Sequence, residues 1–253
     1  MVDMPSLIEY PLEVSKDHYL LRIMLPGSAV QPGQFVNIKI GDTDPLLRRP
    51  FSVHHQEGDI IEIIVKIVGK GTSLLAEKSV PGPIDLLAPL GRGFSLIESG
   101  SALLVGGGVG NAPLYFLAAR LRGRGVRLSY LYGALSQNLI FLRERYESIA
   151  DEFILATDDG TAGRKGLIAD IADEVIGERE FDQVYLCGPM AMMKRITDTL
   201  RSVPTPVEVS IENYFGCGIG VCYGCSVETA EGRKRACIDG PVFDGKSLLW
   251  ESL

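Results

Sequence analysis

The stretch "FGCGIGVCYGCSVET" holds Cys217, Cys222 and Cys225, and Cys237 follows in a separate segment. The chain has five cysteines in all, so four of them sit in this one region. Their spacing, C-x4-C-x2-C-x11-C, puts three thiols on one loop and the fourth beyond it. That is the plant-type arrangement around a [2Fe–2S] cluster. Gly216, Gly218, Gly220 and Gly224 let such a loop curl tightly and turn backbone amides toward sulfur. Zinc is the alternative for four thiols, although zinc sites usually take their ligands as two short-spaced pairs. Disulfides or inert thiols are the third reading.

Other stretches carry chemistry of a different kind. "LLVGGGVGNAPLYF" places Gly106, Gly107, Gly108 and Gly110 between an expected strand and an expected helix. Amides at such a helix start can hold a pyrophosphate, and a merely tight turn would use the same residues. The acidic residue expected about 20 positions on in the standard dinucleotide fingerprint is missing, since that stretch reads "RGRGVRLSY". "YGALSQN" offers no basic residue to a 2′-phosphate, which leans toward NAD over NADP. In "RRPFS", Arg49 suits a phosphate, Phe51 a flat ring and Ser52 a heteroaromatic nitrogen. A surface loop with one buried Phe is the plainer reading of those five residues. "GKGTSLL" is a second glycine turn opening a short helix. Asp158 and Asp159 in "TDDGTAG" read as turn residues, or as partners of a ribose. His54 and His55 are neighbours in an extended segment and so point to opposite faces, which denies them a shared metal. Cys187 reads as a core thiol at a strand end, and Trp250 as tail packing or a contact with another chain.

The elements that must position these residues fall into three segments. Residues 1–97 hold short apolar, partly alternating runs such as "HYLLRIMLP", "GQFVNIKIG" and "IIEIIVKIV", broken by Pro and Gly. They predict a small antiparallel barrel, with "TSLLAEKS" as a short helix. Residues 98–205 alternate strand and helix patterns, which predicts a parallel sheet with helices on both faces. In the helix "NAPLYFLAARLRGRG", Leu114, Leu117, Ala118 and Leu121 share one face. "SVPTPVEVS" reads as a linker to a tail, residues 206–253, too small to be stabilised by its own core. A metal centre would supply the missing stability. The formal net charge of −7 argues against nucleic acid as partner. No apolar run reaches the length of a membrane span, and the N-terminus has no secretory pattern, so the cytoplasm is the expected location.

The order of motifs resembles the ferredoxin–NADP reductase superfamily: Arg-x-Phe-Ser, a Gly-x-Gly-Thr turn, a Gly-Gly-Gly-x-Gly loop and a Cys-Gly-Pro strand end. The cysteine tail and "CIDGPVFDG" narrow the resemblance to the electron-transfer subunits of type B dihydroorotate dehydrogenases, over nearly the whole chain. The resemblance implies a six-stranded antiparallel β-barrel that binds FAD, a parallel α/β domain that binds NAD, and a small [2Fe–2S] domain. It implies that Arg49, Pro50, Phe51, Ser52, Val65, Lys66, Gly71 and Thr72 contact FAD. Gly107, Gly108, Gly110, Cys187, Gly188 and Pro189 would meet the nicotinamide nucleotide, and Cys217, Cys222, Cys225 and Cys237 would hold the cluster. It implies no substrate chemistry in this chain: dihydroorotate oxidation belongs to an FMN-containing catalytic partner, in a heterotetramer with two copies of each subunit. One departure is "ENYFGCG", where the family would have a Met or a small residue before the first cysteine. Related subunits of sulfide dehydrogenase and of NADH-dependent ferredoxin–NADP oxidoreductase are the competing resemblances. A zinc-stapled interaction module on a degenerate nucleotide-binding scaffold is the non-enzymatic alternative.

Overall fold

The computed structural model describes residues 4–41, 44–77 and 81–253. The first residues of the N-terminal stretch and the last two of "TSLLAEKS" lie outside these ranges.

The first segment comprises β1 (Ser6–Leu7), β2 (Leu12–Ser15), β3 (His18–Met24), β4 (Phe35–Ile38), β5 (Arg49–Glu57), β6 (Ile60–Lys66), α1 (Lys70–Ala76), β7 (Gly82–Pro83) and β8 (Leu86–Leu90). The strands make one antiparallel sheet in the order β7-β1-β3-β6-β5-β4-β8, with β2 also paired to β3. The sheet must curl, because its end strands β7 and β8 are joined through Ile84 and Asp85 alone. Backbone bonds from Ile84 N to Pro5 O and from Lys39 N to Asp85 O hold that seam. The six strands of four residues or more match the expected barrel strands, and the two-residue β1 and β7 add the seam. Strand β6 shows the period of two that fixes its faces. Ile61, Ile63 and Val65 enter the barrel core with Leu21, Ile23, Val36 and Val53. Ile64, on the opposite face, joins the core of the next segment.

That segment runs β9 (Ser101–Gly107), α2 (Asn111–Arg122), β10 (Arg127–Ala134), α3 (Arg143–Ile149), β11 (Glu152–Thr157), β12 (Arg164–Lys165), α4 (Ile168–Glu178), β13 (Gln183–Cys187), α5 (Met190–Thr199) and β14 (Val207–Ser210). The sheet order is β12-β11-β10-β9-β13-β14, with a strand of the tail (Val242–Asp244) added beyond β14, and all pairs before that last one are parallel. Side chains alternate along β9: Ala102 and Leu104 pack with α2, Leu103 and Val105 with α4 and α5. Helices therefore cover both faces, as the βα rhythm implies. Leu114, Leu117, Ala118 and Leu121 of α2 are fully buried on the sheet side, while Phe116 of the same helix belongs to the barrel core. Helix α2 is thus a wedge shared by both segments. His54 Nδ1 of β5 donates to its Ala112 carbonyl at 2.9 Å, and Arg145 of α3 pairs with Glu62 of β6 at 2.6 Å.

The tail adds the hairpin β15 (Ser226–Thr229) and β16 (Gly232–Arg235), then β17 (Val242–Asp244). Two expectations need correction here. "SVPTPVEVS" is not a linker throughout, because Val207–Ser210 is strand β14, hydrogen-bonded to β13. The Pro residues before it suggest a break, but the Val-x-Val alternation after them fits a buried strand. Nor is a metal centre the tail's only source of stability. Strand β17 pairs antiparallel with β14, and Val227, Ala236, Phe243, Leu248 and Trp250 continue the α/β core. Trp250 is tail packing: it is buried, and its Nε1 donates to Gly245 O at 2.9 Å.

Candidate functional site

The parallel sheet reverses direction of winding between β9 and β13, and such a switch point opens a crevice at the strands' carboxyl ends. Two glycine turns make this crevice tight. A Cβ on Gly110 would stand 2.4 Å from Cys187 O, and one on Gly188 would stand 2.9 Å from Gly107 N. Only bare backbone permits that approach. Gly107, beside Pro189 and Met192, completes the contact between the two turns. Gly108 is different: its φ is +55° and open space surrounds its Cβ position, so it serves the turn rather than the packing.

A pocket of about 380 Å³ opens between this crevice and the barrel. Arg49, Pro50, Phe51, Ser52, Lys66 and Thr72 line it from the barrel, and Gly110 and Cys187 from the α/β segment. The structure thus brings together eight of the fourteen residues expected at the two nucleotides. Val65 is not among them. The alternation of β6 turns its side chain into the barrel core, and Ile64 lines the pocket instead. Gly71 lies just behind the wall, where a Cβ would meet Arg49 Nε at 3.3 Å. The Thr72 hydroxyl accepts from Val68 N at 2.9 Å and Gly69 N at 3.2 Å, so its first role is to fold the turn before α1.

The electrostatics suit a phosphorylated ligand. Arg49 directs Nη1 to the carbonyls of Leu47 and Arg48, and its guanidinium has no carboxylate partner among the described residues. Arg48, by contrast, is paired with Asp85 at 2.8 Å. The neighbouring arginines therefore separate as an extended segment requires. Pro50, Phe51, Val109 and Pro113 add apolar wall for a flat ring. These residues fit a flavin with a pyrophosphate tail: an unpaired fork, a glycine beside it and apolar walls. Cys187 is a neutral thiol here, pushed up to about 12 by burial and then by Glu212, against a hydrogen bond from Ser210. It is both core residue and pocket wall, and no nucleophile. Motif reading misses Phe35, Ser210, Ile211, Glu212, Asn213 and Phe215, which also line the pocket. For Ile211, Glu212, Asn213 and Phe215 the signal is position, since "IENYF" immediately precedes the cysteine loop.

A second, open hollow of about 610 Å³ lies beyond β10 and β11. Ser136, Gln137, Asn138, Asp159 and Thr161 line it, with no basic side chain. Asp159 is held there as a turn residue, accepting from Thr161 N at 2.9 Å and Thr161 Oγ1 at 2.6 Å.

The cysteine loop has almost no regular structure and is shaped by its backbone. Gly218 and Gly220 take φ +74° and +80°, and Tyr223 joins them at +59°. Gly216 and Gly224 are not in this region. The curl aims the amides of Ile219, Val221 and Cys222 at Cys217 Sγ, at 3.5, 3.3 and 3.4 Å. Burial works to raise the Cys217 thiol, but these three amides and the Cys222 thiol bring it down to about 6. Gly224 N points at Cys222 Sγ (3.4 Å) and Cys237 N at Cys225 Sγ (3.5 Å). Cys237 is pushed up to about 12 by burial, then by the adjoining Cys225 thiol. All four are free thiols. Among the described residues, no three His, Cys, Asp or Glu side chains form a ready single-ion site. Cys222 acts on the Cys217 thiol, and both Cys225 and Cys217 act on the Cys237 thiol, so the four sulfurs are near neighbours. Amides aimed at sulfur and four neighbouring thiols suit a negative two-iron cluster.

Pocket and loop adjoin. Phe35 and Phe215 line the pocket and touch each other, with ring centroids 5.0 Å apart. Phe215, near where the family resemblance calls for a Met or small residue, thus belongs both to the pocket wall and to the packed core that includes Cys225 and Cys237.

Comparison with known proteins agrees with this arrangement. Residues 212–249 match the iron-sulfur cluster binding domain of dihydroorotate dehydrogenase B, and residues 104–198 match the oxidoreductase NAD-binding domain. The dihydroorotate dehydrogenase B (NAD(+)) electron transfer subunit of Desulforamulus reducens is 37% identical, over 94% of this chain and 95% of that protein. The subunit of the same name from Geobacillus thermodenitrificans is 41% identical, over 84% of each. Among solved structures, one of an NADH-dependent reduced ferredoxin–NADP oxidoreductase superposes with a TM-score of 0.90 at 32% identity, covering 100% of this chain and 92% of that one. An Amycolatopsis cytochrome P450 reductase shares the fold of 79% of the chain, with a TM-score of 0.69 at 21% identity.

Proposed function

The chain belongs to the family of dihydroorotate dehydrogenase B electron transfer subunits, and from that premise we propose how its parts divide the work. It is the electron-transfer subunit of an NAD-linked oxidoreductase, carrying FAD and an iron–sulfur cluster and serving a catalytic dihydroorotate dehydrogenase subunit in pyrimidine biosynthesis. When bound, the cluster supplies one-electron transfer and FAD the conversion between single electrons and the hydride that NAD⁺ takes up.

The chain's own residues bind, orient and insulate. Cys217, Cys222, Cys225 and Cys237 hold a [2Fe–2S] cluster. Arg49 anchors the FAD phosphates, Pro50, Phe51 and Ser52 seat its ring, and Gly71 leaves room beside the guanidinium. Gly107, Gly108, Gly110, Cys187, Gly188 and Pro189 form the turn contact against which the nicotinamide nucleotide lies. Phe35 and Phe215 close the gap to the cysteine loop and keep water out of it. The single observation that carries this reading is that contact: the pocket and the loop share a wall.

The partner docks over the cysteine loop. Tyr214, Ile219, Val221 and Tyr223 are exposed there, Tyr214 at 91% and Val221 at 71%. Apolar and aromatic side chains gathered at one solvent-facing spot mark a protein interface. The partner's FMN would approach the cluster through this rim, in a heterotetramer with two copies of each subunit. No helix among the described residues is long and apolar enough to cross a membrane. The free thiols suit the reducing cytoplasm, where we place the complex.

The test is reconstitution. The isolated chain should oxidise NADH with ferricyanide as acceptor and leave dihydroorotate untouched. Adding the FMN subunit should establish dihydroorotate-to-NAD⁺ transfer. Dihydroorotate turnover by this chain alone would refute the division of labour. The likeness to the ferredoxin–NADP oxidoreductase supports one second reading, a different partner for the same redox parts. Co-purification decides between them, since the two readings require different companions.

A further inference from the structure

The amides aimed at Cys217 are not held by the loop alone. A peptide group is planar, so its carbonyl and its N–H point in opposite directions within one plane. In the Gly220–Val221 peptide the N–H meets Cys217 Sγ at 3.3 Å. The carbonyl of the same peptide accepts from Arg235 Nη1 at 2.9 Å. Arg235 stands on β16, outside the loop, and is itself tied down. Its backbone N donates to Asp239 Oδ2 at 2.8 Å, its Nε reaches the same oxygen at 3.4 Å, and its guanidinium lies 5.2 Å from the centre of the Tyr223 ring. Gly220 makes the contact possible. Its φ is +80°, and a Cβ there would stand 2.6 Å from Ile238 Cγ1 and 3.3 Å from Arg235 Nη1.

We propose that Arg235 is a positioning residue for electron transfer: by holding the Gly220 carbonyl it keeps the Val221 N–H on the Cys217 sulfur, and so raises the reduction potential of the cluster. The inference rests on the cluster reading above. Its physics has two parts. An N–H aimed at a ligand sulfur favours the more negative, reduced state. A cation on the carbonyl side polarises the peptide and strengthens that N–H as a donor. Asp239 offsets much of the guanidinium's long-range field, so the influence passes through the peptide rather than through bare charge.

The experiment is an anaerobic redox titration of the full-length protein loaded with cluster and FAD, followed by electron paramagnetic resonance and visible circular dichroism. Arg235→Met keeps a stem of similar length and removes the donor. Its ratio of reduced to oxidised cluster at a fixed poise should fall roughly tenfold, a negative shift of about 59 mV for a one-electron couple. Arg235→Lys, which can donate to one acceptor at a time, should recover at least half of that shift. An unmoved potential in a fully loaded Arg235→Met variant overturns the proposal. Should that variant lose iron, Asp239→Asn decides, because it loosens Arg235 while leaving every cysteine in place. A negative shift there supports the proposal. No shift, or the positive shift that removing a nearby negative charge would give, overturns it. Iron and labile-sulfide analysis of the unaltered chain tests the cluster reading separately. Their absence overturns both claims, whereas a loaded cluster with an indifferent Arg235 overturns only this one.

Discussion

The cysteine loop and the interdomain pocket share a wall at Phe35 and Phe215, yet they are assembled in opposite ways. The loop draws three of its four thiols from nine consecutive positions, 217–225, and is shaped by positive-φ residues and amides that point inward. The pocket draws its lining from β4, β5, β6, α1, the turn after β9, α2, the end of β13, and β14 with the segment after it, residues as far apart as Phe35 and Pro241. A local site depends on a few bonds in one segment. A distributed site depends on every element that brings its walls together. Damage should therefore stay local in the loop and spread from the pocket.

The largest effect is expected where the loop loses a ligand. Cys222→Ser should abolish or strongly destabilise the cluster, because a missing thiolate leaves an iron shell incomplete. FAD should stay bound, since most of its pocket, Arg49–Ser52, Lys66 and Thr72 included, belongs to other segments. Flavin extraction with iron and labile-sulfide assays checks both halves, and loss of FAD together with iron would break the contrast.

Next comes the pocket's phosphate anchor. Arg49→Ala should weaken FAD binding roughly ten- to a hundredfold, from about 1.5–3 kcal/mol for a charge-assisted contact. Arg48→Ala removes the same charge from the adjacent position but breaks the Asp85 pair, in which Asp85 is more than half exposed, and the bonds to the Asp85 and Asn37 carbonyls. Such pairs are worth about 0–1 kcal/mol. Titrating apo-protein with FAD compares the two. Equal losses would mean general attraction rather than an aimed fork.

Gly110→Ala sharpens the distributed side. Its methyl would enter the 2.4 Å approach to Cys187 O, where backbone cannot yield cheaply. Pushing β9 and β13 apart should cost about 1–3 kcal/mol of stability and slow NADH oxidation, with the cluster spectrum retained. Thermal denaturation and the ferricyanide assay report these. A normal Tm with normal NADH turnover would show that the turn is slack.

The last effect, felt only in acid, concerns the seam between barrel and α/β segment. His54 is fully buried, and burial lowers its pKa to about 4, only partly opposed by its bond to Ala112. A histidine with a depressed folded pKa is stabilising in its neutral form. Stability is therefore full above pH 6.5 and falls as the pH drops from about 6.5 toward 4, by up to about 1.4 kcal/mol per unit. His54→Gln should flatten that stretch of a denaturation-versus-pH curve. If it leaves the slope unchanged, another group carries the acid sensitivity.

Legibility in the amino-acid sequence follows the same division. The four cysteines and their spacing declare a cluster, because ligand spacing on one loop is a property of the sequence alone. The "RRPFS" motif and the glycine turns are equally visible, as are three of the barrel strands and the βα rhythm. The Val65 side chain turns to the barrel core and Ile64 to the pocket because a motif names a strand, while only the pleat decides which of two neighbours faces which side. The segment 207–210 is misjudged because prolines before it signal a break, and nothing local reveals a vacant sheet edge beside β13. Glu212, Asn213 and Phe215 have no motif at all. They reach the pocket because β14 and β17 pair and carry the tail back to the barrel. The sequence by itself determined which atoms could bind iron, phosphate and a flat ring, since those are properties of side chains and their spacing. Only the tertiary structure decided that the interdomain pocket and the cysteine loop share one wall, and that Arg235 reaches the peptide facing Cys217. Both depend on contacts between segments distant in sequence, and no local pattern encodes the distance between them.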